Sequence, residues 1–302
     1  MNKIKPMQEQ TMEESKRTYN DLFSNVSYYI DEKLKARGIH DLILHMFREN
    51  IKNSKVLDIG CGYGRFSFLA STLSSDVLGI DMSEGAISVA NKIKKSLDNE
   101  NVKFICSSIE DFSSEEKFDF IILSGTLEHI HDEDDILKKI NYLLSEDGVF
   151  VTDSPSEFNF RGLFHASLWK LFNFPMTLSD VRIITPKGMR EMAINSGFKL
   201  DKIIGTLYKR GWGEAGASDI KSRMKNVMRS VSENMKNITI SHDNYNNWID
   251  EALDVFNPIL EDWKKNNILK EIPNIELQSL LSNQIHLKLI RLKLFLIILE
   301  RL

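Results

Sequence analysis

Val56-Leu57-Asp58-Ile59-Gly60-Cys61-Gly62-Tyr63-Gly64-Arg65-Phe66-Ser67 is the stretch on which the reading of this chain turns. Val56, Leu57 and Ile59 form a short apolar run of the kind found in a buried strand, and three alternating glycines follow at once. Phe66, Phe68 and Leu69 then begin an apolar pattern suited to a helix. Glycines let backbone approach a ligand closely, and a helix start offers unpaired N–H groups. Strand, turn and helix together predict a cofactor cradle.

The spacing within the turn narrows the cofactor. A dinucleotide fingerprint needs G-x-G-x-x-G, but counting from Gly60 the last position falls on Arg65, and counting from Gly62 on Ser67. The pattern present is D-x-G-x-G-x-G, with Asp58 two residues before the first glycine. This resembles motif I of the class I S-adenosylmethionine-dependent methyltransferases. The resemblance implies that Gly60, Gly62 and Gly64 lie against the methionine part of the cofactor and that Asp58 helps hold its ammonium group.

Working outward, Asp76-Val77-Leu78-Gly79-Ile80-Asp81 reads as a second strand ending in an acid, 21 positions after Gly60. A βαβ unit brings such a strand end beside the first turn, where a carboxylate can accept from both hydroxyls of a ribose. Asp81 is therefore expected at the ribose, and Met82 against the adenine. The helix at 84–97 leads to a strand at 102–106, followed by Ser107, Ser108 and Ile109. In the family an acid or amide often occupies the place of Ser108 and reads the adenine amino group. Ser108 and the Ile109 backbone N–H are the corresponding expectations here, with the reader of the adenine left open.

A fourth strand, 118–123, carries the run F-D-x-I-I-x-x-x-x-L-E-H-I, similar to motif IV of the small-molecule branch that includes the ubiquinone-biosynthesis O-methyltransferases. Ser124, at its end, is assigned to the cofactor side. Some quinone enzymes of that branch bind a divalent metal here through two glutamates and a histidine. The first acid position is Gly125 in this chain, leaving Glu128 and His129, so no required metal is expected. His129 is a candidate general base, since an unperturbed imidazole titrates near neutrality. Asp153, ending a fifth strand at 149–153 after the turn Ser145-Glu146-Asp147-Gly148, is the second candidate base or substrate anchor. For both residues a capping or packing role is the alternative.

Five strands alternating with helices predict an α/β fold, a doubly wound and mostly parallel sheet. Residues 1–52 read as leading helices capping the cofactor site. Residues 53–210 read as the S-adenosylmethionine-binding domain, with an aromatic-rich substrate lid at 154–182 that includes Phe158, Phe164 and Trp169. The phrase T-P-x-x-M-x-x-M-A-x-x-S-G-F from Thr185 again resembles this branch, and a sixth strand is expected at 198–206. A seventh strand is not evident near it; either it lies far downstream or the sheet ends at six.

Residues 211–302 read as a helical C-terminal extension. Its end, QIHLKLIRLKLFLIILERL from Gln284, is apolar but interrupted by charge and too short in its uncharged run to span a bilayer. A buried strand or helix, or a basic leucine-rich helix giving peripheral membrane contact, are the readings it allows.

Composition sets the outer limits. The chain has 302 residues, 39 Lys+Arg against 43 Asp+Glu and a formal charge of −4; nothing in that total recruits nucleic acid, though a neutral total can still hold a basic patch, and no nucleic-acid partner is expected. Two cysteines, Cys61 and Cys106, make no disulfide framework and are expected to pack in or beside buried strands. The polar start MNKIKPMQEQTMEESKR lacks a signal-peptide core, so a cytoplasmic chain is expected. The function that follows is methyl transfer from S-adenosylmethionine to a small-molecule acceptor, with a hydroxyl of a quinol, sugar or other compound favoured. A non-catalytic S-adenosylmethionine-binding or scaffold protein, or less readily a nicotinamide-dependent oxidoreductase, are the alternatives.

Overall fold

The computed structural model describes residues 38–155, 180–206 and 294–301, with single positions at Glu13, Lys16, Arg17, Tyr19, Asn20, Gly162, Ala217, Ser218, Ile220 and Lys221. The chain divides into two compact units. One comprises Gln10–Ser154, Pro186–Ile203 and Leu296–Leu302 and holds the sheet; the other comprises Met1–Glu9, Pro155–Thr185 and Ile204–Phe295.

The strands are β1 (Lys55–Ile59), β2 (Asp76–Asp81), β3 (Val102–Cys106), β4 (Phe118–Ser124), β5 (Leu144–Pro155), β6 (Phe198–Thr206) and β7 (Leu294–Arg301). They form a sheet of order β3-β2-β1-β4-β5-β7-β6. The pairs β1–β2, β2–β3, β1–β4 and β4–β5 are all parallel. Burial on both faces explains the near-continuous apolar reading of β1 and β4, where Leu57, Phe120, Ile121 and Ile122 are fully buried.

Helices α1 (Ile39–Met46), α2 (Arg48–Ile51), α3 (Arg65–Ala70), α4 (Glu84–Ser96), α5 (Glu133–Leu143) and α6 (Pro186–Asn195) connect or precede the strands. Their ends follow local chemistry. Ser83 caps α4 by accepting from Ala86 N at 3.1 Å. Glu133, Asp134 and Asp135 place negative charge in the first turn of α5, which suits the helix dipole. Pro186 opens α6, and Gly197 just beyond its end adopts φ 75°, the left-handed geometry of a helix stop.

Among the leading helices the chain breaks at Phe47 (φ −110°, ψ 23°) into α1 and α2. Two expectations change. The turn Ser145–Gly148 does not precede β5 but lies within it, as a register irregularity between Phe118↔Leu144 and Phe120↔Val149. The end of the presumed helical extension is a strand: β7 enters the sheet between β5 and β6, so the seventh strand does lie far downstream. A surface helix is therefore excluded for Leu294–Arg301. The rest of the expected extension lies almost wholly outside the described residues, as does most of the expected lid. Among the described residues no helix is long and apolar enough to cross a membrane. Cys61 is buried as expected, whereas Cys106, on the sheet-edge strand β3, is exposed.

Candidate active site at the carboxyl ends of the strands

The sheet order reverses between β1 and β4, and open α/β sheets bind ligands outside the strand ends at such a crevice. The glycine turn occupies this place. Gly60, Gly62 and Gly64 have φ of 68°, 54° and 83°, each in the left-handed region that side chains disfavour. A Cβ on Gly60 would meet Thr126 Oγ1 at 2.5 Å, so the turn after β1 lies directly against the loop after β4. The alternating glycines thus answer a backbone requirement at three alternate positions.

Two acids brace the turn. Asp58, 2% exposed, accepts from Ser67 N at 3.0 Å and from Ser67 Oγ at 2.6 Å, which ties β1 to the first turn of α3. Burial pushes its carboxyl up to about 7, against the pull of the Ser67 bonds and with a smaller upward push from Asp81. Asp81 accepts from Gly62 N through Oδ2 and from Ser83 N through Oδ1, both at 2.8 Å. It links the β2 end to the glycine turn and to the start of α4. Burial raises its carboxyl too, while the two backbone bonds oppose the shift. Asp58 Oδ1 and both oxygens of Asp81 retain acceptor capacity beyond these bonds.

Met82 follows Asp81 directly, and its carbonyl faces Cys106 Sγ at 3.7 Å. Ile109 is buried. Ser108 is held in place locally: its hydroxyl donates to Asp111 Oδ2 at 3.0 Å and accepts from Asp111 N at 3.1 Å. Its side chain therefore closes a local turn, and the Ser-x-x-Asp spacing carried that signal in the sequence.

At the acceptor side, Ser124 pairs in register with Asp153 across β4 and β5. Asp153 is 3% exposed, and its Oδ1 is buried without a hydrogen-bond partner. Burial raises this carboxyl to about 7; Ser124 lowers it and the nearby Glu128 raises it. Glu128, also buried, accepts from Ser154 Oγ at 3.1 Å. His129, in the short 3-10 turn Leu127–His129, packs edge-on against Tyr19 with ring centroids 6.1 Å apart. Glu128 and His129 are thus adjacent in sequence but directed to different neighbours, and among the described residues no group of three metal-ligating side chains assembles.

The residue that sequence reasoning passed over is His40. From α1 its Nε2 lies 2.9 Å from Ser124 Oγ, its ring meets Phe66 edge-on, and its Nδ1 is buried with no partner. Burial and the neighbouring Arg65 lower its pKa to about 4, against a smaller opposing effect of Asp41. The helix that carries it is anchored by Asp41, which accepts from Gly38 N and pairs with Arg65 of α3 at 2.7 Å. Asn20 makes a second bridge from the leading segment, accepting from Ser83 Oγ at 2.9 Å at the β2 end. Described leading residues thus reach both ends of the site.

A family profile described as a methyltransferase domain matches residues 50–210. Among curated proteins the chain is similar to the ubiquinone biosynthesis O-methyltransferase of Pelagibacter ubique, 33% identical over 116 residues, 38% of this chain and 48% of that protein. It is also similar to the malonyl-[acyl-carrier protein] O-methyltransferase of Bacillus anthracis, 29% identical over 142 residues, 46% of this chain and 52% of that protein. The chain spans about half the length of these curated relatives. Among solved structures, the YcgJ protein of Bacillus subtilis matches with a TM-score of 0.53 at 18% identity, covering 88% of this chain and 100% of that one. The plantazolicin methyltransferase BpumL matches with a TM-score of 0.50 at 18% identity, covering 99% and 95%. At such identities these structures speak for the fold.

Proposed function

Because the chain belongs to this methyltransferase-domain family, we propose that it transfers a methyl group from S-adenosylmethionine to a small-molecule acceptor, with a hydroxyl as the favoured acceptor. The observation that carries the proposal is the turn of three left-handed glycines held between Asp58 and Asp81 at the sheet's switch point. This cradle fits the cofactor. The glycine backbone would face its methionine part, Asp58 its ammonium group, and Asp81 the ribose hydroxyls. Met82, Ser108, Ile109 and Ser124 complete the proposed cofactor contacts; the Ser108 hydroxyl, bonded to Asp111, keeps a lone pair for the adenine amino group. S-adenosylmethionine supplies an activated methyl on sulfur; the protein's part is to align the attacking atom and keep it free of its proton.

Calorimetric titration with S-adenosylmethionine, S-adenosylhomocysteine and NADH tests this directly. Binding of both sulfur nucleosides without NADH is the expected result. A folded chain that binds neither, or binds NADH alone, would overturn the proposal.

The raised carboxyl of Asp58 adds a pH signature. A cation bound beside Asp58 favours its ionised form, so binding below about pH 7 must expel a proton. Affinity should therefore rise with pH up to about 7 and level off above it. Titrations at about pH 6.5 in buffers of different ionisation enthalpy should show net proton release. Proton uptake, or none, would mean that Asp58 does not face the bound cation.

A further inference from the structure

Three side chains far apart in sequence form one string: His40 on α1 lies 2.9 Å from Ser124 at the end of β4, and Ser124 is the register partner of Asp153 near the end of β5. Its two ends are unusual. His40 Nδ1 and Asp153 Oδ1 are both buried with no hydrogen-bond partner, although buried polar groups are almost always paired. An unmet acceptor or donor at each end of a continuous chain is what a proton path requires, and mere structural capping leaves it unexplained.

Ser124 has one proton, and that fixes the tautomers. When Asp153 is ionised, Ser124 donates to it and must accept from His40, so Nε2 carries the imidazole proton and Nδ1 presents a bare lone pair. When Asp153 is protonated and donates to Ser124, Ser124 donates to Nε2 and the imidazole proton sits on Nδ1. The string therefore has two states that differ by one proton, and the imidazole is neutral in both.

We infer that His40 Nδ1 takes the proton of an acceptor hydroxyl and that Ser124 passes the equivalent proton to Asp153, so that this site is built for O-methylation. The inference rests on the methyltransferase reading above. The acceptor O–H bond breaks as the Nδ1–H bond forms. The Nε2 proton moves to Ser124 Oγ, and the Ser124 proton moves to the Asp153 carboxylate. The freed electron pair on the acceptor oxygen forms the new O–CH3 bond, and the electrons of the S–CH3 bond stay on sulfur. One ether, one thioether and one protonated Asp153 result, and the proton on Asp153 leaves to solvent before the next cycle.

The surrounding charges favour this route over a protonated imidazole. Arg65 and burial disfavour a cation on His40, with only Asp41 opposing them. Burial and Glu128 make Asp153 a ready proton acceptor near neutrality. His40 is the catalytic residue; Ser124 and Asp153 act through it and hold its tautomer.

The test is long-range proton–nitrogen spectroscopy on protein labelled with 15N-histidine, with His40→Gln for assignment. His40 should stay neutral from about pH 5.5 to 8.5 and change from the Nδ1–H to the Nε2–H tautomer with a midpoint near 7. Ser124→Ala should abolish that change. A tautomer that ignores pH, or one that changes equally in Ser124→Ala, overturns the inference even before any acceptor is known. Turnover of a catechol probe with S-adenosylmethionine provides the second arm. His40→Gln should lower kcat about 100-fold or more while the dissociation constant of S-adenosylmethionine stays within about twofold. If the cofactor binds and catechol is methylated equally well by His40→Gln, the inference fails while the methyltransferase reading stands. If the wild-type chain binds no S-adenosylmethionine, the reading itself has failed.

Discussion

Gly64→Ala should destabilise the fold by about 2–5 kcal/mol, the sum of a left-handed backbone penalty and an overpacked core. Gly64 has φ 83° and sits as the residue before α3. A Cβ there would fall within contact of the Phe104 ring, which is itself packed edge-on against Phe68 at 5.4 Å. The ring cannot retreat freely, because Phe104 also lies over Gly79, where an added Cβ would meet its Cδ1 at 2.7 Å. Gly125→Ala is the matched control: its φ is 57°, but nothing lies within 4 Å of the added carbon. It should cost only the backbone term, about 1–2 kcal/mol. Urea denaturation followed by circular dichroism compares the two. Equal losses would show that the Phe104 contact yields and that the close approach of β3 to the glycine turn is not needed.

Asp81→Ala should weaken S-adenosylmethionine binding by about 100-fold or more. Hydrogen bonds to a charged group contribute about 1.5–3 kcal/mol each, and two of them account for such a loss. The variant also removes the acceptor for Gly62 N and Ser83 N, so the glycine turn loses its link to β2. Asp81→Asn keeps one oxygen acceptor and should fall between the two. Asp76→Ala, at the other end of the same strand where the side chain is half exposed, should leave binding unchanged. Calorimetry on the four proteins decides the matter. An Asp81→Ala chain that binds as tightly as the parent would remove Asp81 from the cofactor site.

Much of the architecture was legible before any coordinates. The apolar runs at β1 to β4 and at β6 are set by neighbours a few residues away, and the structure has them where the pattern puts them. The glycine turn was legible for the same reason, since three left-handed positions in five residues leave few side-chain choices. Ser108 shows what local bonding adds to a resemblance. The family position points to the cofactor, and a Ser-x-x-Asp bond inside this chain fixes the hydroxyl that stands there.

What contiguous residues specify is therefore the strands, the turn and the acids that brace it, because backbone geometry and hydrogen-bond reach act over short spans. The insertion of β7 between β5 and β6 has no local cause, since a strand's partners are chosen by the edge it reaches after the chain has folded. The site's deepest contact is of the same kind. His40 and Ser124 are 84 positions apart, and only the packing of α1 over the end of the sheet, held by the Asp41–Arg65 pair, brings Nε2 within 2.9 Å of the hydroxyl. Burial then sets the electrostatics: the same residue types in water would keep ordinary pKa values, and it is desolvation at the strand ends that moves His40 down and Asp58 and Asp153 up.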